Sequence, residues 1–398
     1  MKYTLLAIIA VMCLACGRSS EQAPAPDRTP VVQMETHFII GLDDQPDEYL
    51  LGRPVAVRVD STGTMFIADR ASNEIKVFDR NGKFLRTIGG RGRGPGELLG
   101  IEFLHWTPDG HLVVMDRGNF LYTIITTEGD HISSYPYNFS QQFHPRSIVY
   151  GDGYLIGLMM LDDDIPELSR FDRPMFFLYT TDFQNRLDSF GIFSEDIDLV
   201  DLFPHSLMAF HPGSIHMNDS GNTIRFSPGT YHGKVYVYRK NENEIWNLAE
   251  ILKGVDPGVK LYKMYYNKDE YNRDRERDVP GVIRIRGMGD ESMGRIMARD
   301  GGIFATSSGK TIQFFSVWAE DLIDITNVVP FKDLFIQVFD EQGELYISGY
   351  VTTYEERNNL PIYPVVSSMD SEGNFYMIEY MNEVPVVRKF SLEFPFIE

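Results

Sequence analysis

The residues best equipped for chemistry cluster in and around "TIGGRGRGPGELLG", Thr87 to Gly100. Arg91 and Arg93 stand there among six glycines, with β-type sequence on either side. Glycine lets backbone N–H groups approach an anion and arginine supplies charge, so the stretch has the composition of a carboxylate or phosphate loop. Other candidates repeat a pattern. Arg70 and Arg117 close "ADR" and "MDR", next to Asp69 and Asp116. Arg53, His144, His211 and Tyr363 each precede a proline, and Glu102 and Arg146 stand at comparable places. Together these ten side chains would form a largely cationic rim suited to an anionic group of a ligand. The two aspartates read differently, as residues that cap their own turns and pair with the adjacent arginines.

Established site motifs are missing. The glycines of the loop do not fit Gly-x-Gly-x-x-Gly, and no Lys-Ser/Thr or helix pattern follows. His-Glu-x-x-His and Gly-x-Ser-x-Gly do not occur. Asp162-Asp163-Asp164 lacks EF-hand spacing and reads as a solvated acidic loop.

What positions the candidates is a repeat. Arg53 to Gly90 divides into four short runs, Val55–Val59, Thr64–Ala68, Glu74–Phe78 and Lys83–Ile88, separated by Asp/Asn/Gly turn formers. Four antiparallel strands in about 40 residues is the size of one propeller blade. The first turn recurs at Asp60–Gly63, Pro108–Gly110, Gly151–Gly153, Asn218–Asn222, Arg299–Gly302 and Asp370–Asn374, which predicts six blades. Pro54, Pro145, Pro212 and Pro364 each fall six residues before such a turn, as first residues of inner strands. The fifth blade has Met293-Gly294 there. "FIIGLDDQPDEYLLG" (Phe38–Gly52) matches the glycine-rich stretch at an offset of 48, so that stretch is a blade-to-blade connector before it is a ligand loop. The match also makes Met34–Gly41 an outermost strand with no blade before it. The last unit has three clear strands and lacks a fourth. The predicted fold is therefore all-β: a six-bladed β-propeller of four-stranded antiparallel blades, closed by the N-terminal strand completing blade six.

With "PVAVRVDSTGTMFIADRASNEIKVFD" and "GGRGRGPGEL" on the page, the chain resembles the six-bladed β-propeller lipoproteins of Bacteroidota-type bacteria, relatives of NHL-repeat propellers. The resemblance implies a membrane-anchored propeller and carries little about chemistry.

The N-terminus agrees with an anchor. An apolar run from Leu5 to Ala15 is too short to span a bilayer and reads as a signal peptide, residues 1–15. Leu14-Ala15-Cys16 resembles a lipobox, which makes Cys16 the lipidated residue. Residues 16–33 are expected to be a flexible tether, and 34–398 the propeller. Both cysteines, Cys13 and Cys16, lie in this segment, which leaves the body no thiol for disulfides or catalysis. A net charge of −20 makes nucleic acid a poor partner. The expected place is the cell envelope, lipid-anchored and facing the periplasm or the cell surface.

Blade geometry sorts the loops. The strand one–two and three–four turns share one face and are short. Strand two–three loops and connectors share the other face, and every long segment falls there: Leu161–Pro174, Phe193–Gly213, Ile251–Ser292 and Ser307–Pro330. Long loops on one face predict a binding face for a small molecule, glycan, peptide or protein, without cofactor or catalysis. The alternative is a metal-assisted lactonase-like or lyase-like enzyme at the channel mouth. Against it, the ring of inner-strand starts (Pro54, Glu102, Pro145, Pro212, Gly294, Pro364) holds a single carboxylate, where a catalytic metal needs about three protein ligands.

Overall fold

The computed structural model describes residues 27–136, 147–158, 172, 174–196, 213–256, 262–265, 267–277, 279, 282–288, 290–319, 322, 331–355 and 365–394. The chain enters with β1 (Gln33–Ile40) and then runs through successive antiparallel sheets. Blade one is β2 (Pro54–Val59), β3 (Met65–Asp69), β4 (Glu74–Phe78) and β5 (Phe84–Gly89). Blade two is β6 (Ile101–Trp106), β7 (Leu112–Asp116), β8 (Leu121–Ile125) and β9 (His131–Pro136). Blade three is β10 (Ser147–Tyr150), β11 (Tyr154–Leu158), β12 (Pro174–Thr180) and β13 (Arg186–Ile192). Blade four is β14 (Gly213–Met217), β15 (Thr223–Pro228), β16 (Lys234–Lys240) and β17 (Trp246–Lys253). An insertion follows, in which β18 (Tyr262–Met264), β19 (Val282–Met288) and β20 (Asp290–Ile296) form a small sheet beside helix α1 (Lys268–Glu276). Blade five is β21 (Ala298–Ala305), β22 (Thr311–Trp318), β23 (Phe331–Phe339) and β24 (Leu345–Glu355). Blade six is β25 (Val366–Met369), β26 (Phe375–Met381) and β27 (Val384–Glu393), completed by β1. The ladders of blades five and six are linked by the single pair Glu355–Tyr380.

The core is distributed, with apolar clusters at every blade boundary. Blades one and two share Val55, Ile75, Ile101 and Leu104. Blades two and three share Phe103, Tyr122, Ile148 and Phe177, and three and four share Phe176, Phe226 and Tyr238. Val235, Leu252, Ile303 and Phe339 fill the next boundary, and Phe314, Ile336, Phe375 and Phe390 the one after. Ile40, Val57, Tyr376 and Val387 close the ring between six and one. A sheet stacked on both sides must be apolar on both faces, which is why β3 and β7 are buried along their whole length. The outer strand β5 alternates, because beyond it lies solvent.

The short turns are one device repeated. The residue opening each turn accepts the N–H three positions on, as Gly63 donates to Asp60, Gly221 to Asn218 and Gly373 to Asp370. Where that residue is Asp, its carboxylate also takes N–H groups inside the turn, as Asp79 takes those of Asn81 and Lys83. This Asx turn is what made the repeat visible in the sequence.

Three expectations need correction. Arg299–Gly302 is no turn: Asp300 and Gly302 flank a bulge inside β21, and the turn is Thr306–Gly309. The same bulge skips Val55 and Glu102 in blades one and two. Glycine serves at 301 because a Cβ would lie 3.0 Å from the Phe314 backbone. The residues read as a strand one–two turn are thus the inner strand itself, Ser307–Gly309 belong to the short-turn face, and Met293-Gly294 lie in β20 of the insertion. Second, the connector offset shortens to 47 past the glycines, for Leu51 and Leu98 are the buried equivalents. Third, the tether does not run free to residue 33. Arg28 pairs with Asp333 at 2.9 Å, Val31 N–H donates to the Tyr350 carbonyl, and Val32 is buried against blade five.

Truncating Ile40 to alanine removes a fully buried side chain from the closure seam and should cost about 3 kcal/mol. Leu85→Ala on exposed β5 should cost less than about 0.5 kcal/mol. Chemical denaturation of both variants checks this, and equal costs would mean the seam carries no special share of stability.

Candidate functional site in the central channel

On the long-loop face the structure joins three of the sequence candidates. Arg70 follows β3 and Arg117 follows β7, and both reach the buried carboxylate of Glu102, with Nη1 at 2.9 and 3.5 Å from the same Oε1. The bulge in β6 is what turns Glu102 toward them. The aspartates do cap, but they do not pair with their neighbouring arginines. Asp69 accepts the N–H groups of Gly52, Arg53 and Ala71, and Asp116 accepts those of Leu99 and Asn119. Burial raises the Asp116 carboxyl, against the pull of those hydrogen bonds.

The glycine-rich connector satisfies itself. Gly92 N–H donates to Leu98, Leu98 N–H to Gly90, and Gly94 N–H to the Glu97 carboxylate at 2.6 Å. A Cβ on Gly92 would sit 2.0 Å from Glu97 Oε2, so glycine is required there to let the carboxylate fold over the loop. The N–H groups of Gly92, Gly94, Glu97 and Leu98 are thus already taken. Arg91 and Arg93 are exposed on this loop and Arg53 is exposed beside it; none has a salt-bridge partner among the described residues. His144, Arg146, His211, Tyr363 and Cys16 lie outside the described residues, as do most residues of Leu161–Pro174 and Phe193–Gly213.

Among the described residues, a cavity lies at the other end of the channel. Inner strands of all six blades converge on a space of about 590 Å³ near the short-turn face. The repeat explains its walls. Two residues before the opening residue of each strand one–two turn stand Arg58, His105, Val149, His216, Phe304 and Ser368, and all six line the space. Strand alternation makes the positions two further back line it too, as Ser147, Ser214, Gly302 and Val366 do.

Arg58 is held by neutral groups. Its Nη1 donates to the Val57 carbonyl at 2.7 Å and the Ser367 carbonyl at 3.0 Å, and Nη2 lies 3.4 Å from His105 Nε2. Ser367 is free to do this because β25 skips it in its ladder with β26 and turns its hydroxyl to Val57 N–H. Burial brings the Arg58 guanidinium down to about 10, which leaves it charged at neutral pH. Burial, and then the Arg58 charge, hold His105 well below its ordinary value. Neutral His105 with Nε2 accepting from Arg58 carries its proton on Nδ1. Burial, then Arg225, brings His216 down to about 4, with Asp219 pulling the other way. Behind this wall, burial pushes Asp300 up to about 7, opposed by hydrogen bonds from Ser214, Ser227, Gly302 and Gln313.

Arg58, His105 and His216 were missed by a reading that compared inner-strand starts rather than inner-strand ends. The signal was present: "VRVD", "LHWT" and "IHMN" each place a basic or imidazole residue in an otherwise apolar strand, two positions before a turn.

Residues 39–119 match the DUF5128 family, described as a 6-bladed beta-propeller, a span that covers blade one and the first two strands of blade two. Among solved structures, a DUF4221 family member from Bacteroides vulgatus superposes with a TM-score of 0.53 at 10% identity, covering 92% of this chain and 99% of that one. A candidate exported protein from Bacteroides fragilis gives 0.48 at 11% identity, covering 91% and 96%. Virginiamycin B lyase from Staphylococcus aureus gives 0.43 at 12%, covering 90% and 99%. The first of these likenesses shows the propeller fold and nothing further. No functionally curated protein matches the sequence.

His216 stays neutral in the fold down to about pH 4 but protonates near 6.5 when unfolded. Between those values the unfolded chain binds the extra proton, so this histidine lowers stability as pH falls. Asp300 works in the opposite sense, losing stability as pH rises from its ordinary 3.8 toward 7. Comparing His216→Gln with the parent isolates the histidine. The variant's thermal midpoint, relative to the parent, should rise on going from about pH 7 to about pH 4.5. Parallel curves would show that His216 takes up its proton in the fold as readily as in the unfolded chain.

Proposed function

We propose that this propeller is a binding protein that takes a small molecule into the short-turn end of its central channel and is held at the cell envelope by a lipid on Cys16. The observation that carries the reading is the convergence of six inner strands on one cavity, with Arg58, His105 and His216 at repeat-equivalent positions. The wall mixes apolar side chains with Arg58, two histidines and several serines, polar groups of the kind that orient a ligand in a concave site. Its ring is built on strands rather than loops, so the polar atoms are fixed before a ligand arrives.

The exposed Arg53, Arg91 and Arg93 support a second surface on the opposite face, for a glycan, peptide or protein that carries carboxylates or phosphates. Nucleic acid fits poorly with a net charge of −20. Metal-assisted catalysis draws no support from the described residues, among which no group of three or more His, Cys, Asp or Glu could hold a metal ion.

A chemically diverse fragment library screened by thermal shift tests the pocket. Ligands that raise the parent's midpoint should lose at least about tenfold in affinity in Ser368→Phe, which fills the channel. Hits that bind both proteins equally would place the binding site elsewhere. Separately, Cys16→Ala should move the protein from the membrane fraction to the soluble fraction, and an unchanged distribution would overturn the anchor.

A further inference from the structure

We propose that the channel pocket recognises a monocarboxylate with an apolar body, the carboxylate being held by the free edge of the Arg58 guanidinium; this rests on the pocket reading above. The guanidinium has five N–H donors. Both Nη1 hydrogens are committed, to Val57 and Ser367, and one Nη2 hydrogen faces His105 Nε2. That leaves Nε–H and the second Nη2–H, a two-pronged edge with no acceptor among the described residues. Two parallel N–H groups match the two oxygens of a carboxylate.

Charge argues for a monoanion. Arg58 makes no ion pair among the described residues, in a protein of net charge −20, so one positive charge in the wall is uncompensated. His105 beside it and His216 elsewhere in the wall are polar without adding charge, because both are neutral at neutral pH. Asp219 at the rim adds repulsion against a second negative charge on the ligand. An apolar and aromatic part of the wall, Trp106, Val149, Ile215, Met217 and Phe304, stands among serines and Asn218 and is available to the body of the ligand. Trp106 is fixed for this role, since its indole N–H donates to the Val59 carbonyl at 3.2 Å.

The test uses matched pairs, benzoate with benzamide, phenylacetate with phenylacetamide and octanoate with octanamide, against the full body by calorimetry and thermal shift. Inorganic phosphate is the dianion control. At least one carboxylate should bind at least about tenfold tighter than its amide, as expected for a charge-assisted bidentate contact. Arg58→Gln should abolish that preference. Arg58 also bridges blades one and six, so that variant is used only if its midpoint shows it folded; the amide comparison on the parent stands without it. Amides that bind as tightly as their acids, with both lost in Ser368→Phe, would sink the carboxylate assignment and leave the pocket standing. Carboxylates that bind regardless of Ser368→Phe and Arg58→Gln would overturn both. Phosphate binding above the monocarboxylates, or no preference in any pair, overturns the inference.

Discussion

A chain of twisted sheets stacked side by side has two loose ends, and the pairing of β1 with β27 is what removes them. Seven ladder pairs from Gln33–Glu393 to Ile40–Val387 join residues more than 340 positions apart in sequence. Until that strand docks, blade six lacks its outer strand and β27 presents an open edge that invites another chain. Once it docks, the interblade clusters become mutually supporting, for each blade is clamped on both sides. The contact is far from local, so loop-closure entropy must be spent before it returns anything. The buried seam of Ile40, Val57, Tyr376 and Val387 supplies the return.

The same seam fixes the chemistry of the channel. Arg58 lies on blade one, and two of the groups that solvate it, the Ser367 carbonyl and hydroxyl, lie on blade six. A guanidinium in a channel wall is costly unless hydrogen-bonded, and here half of that bonding exists only in the closed ring. The skipped residue in β25 is the local device that makes it possible, because a regular ladder would have pointed the Ser367 groups elsewhere. Closure thus acts as both the stabilising step and the one that completes the candidate binding group.

The blades were legible because their turns obey side-chain chemistry: Asp or Asn opens them, glycine closes them, and apolar runs flank them. Blade five was misread because its Asp-Gly-Gly served a bulge instead of a turn, and both uses ask for the same residues. The closing strand was legible from the matching connectors. Of the site candidates, Arg70, Glu102 and Arg117 do meet, though no single-residue signal foretold that the arginines would choose Glu102 over their neighbouring aspartates. That choice follows from burial. Asp69 and Asp116 are saturated by backbone N–H groups, whereas Glu102 is carried into the wall by a bulge and needs cations.

The two ends of the channel therefore differ in kind. At the long-loop end, one buried carboxylate is engaged by two guanidiniums, a cluster in which each arginine already faces an acid and which ties blade one to blade two. At the short-turn end, one guanidinium is engaged by carbonyls, a hydroxyl and a neutral imidazole, which orient it without cancelling its charge. An arginine already facing an acid gains little from a further anion, since the ligand would displace or share an existing pair. An arginine oriented by dipoles keeps its charge available and has lost its freedom of rotation beforehand, so an incoming anion meets a prepared partner. On that ground the cavity beside Arg58 is the better candidate for binding an anion.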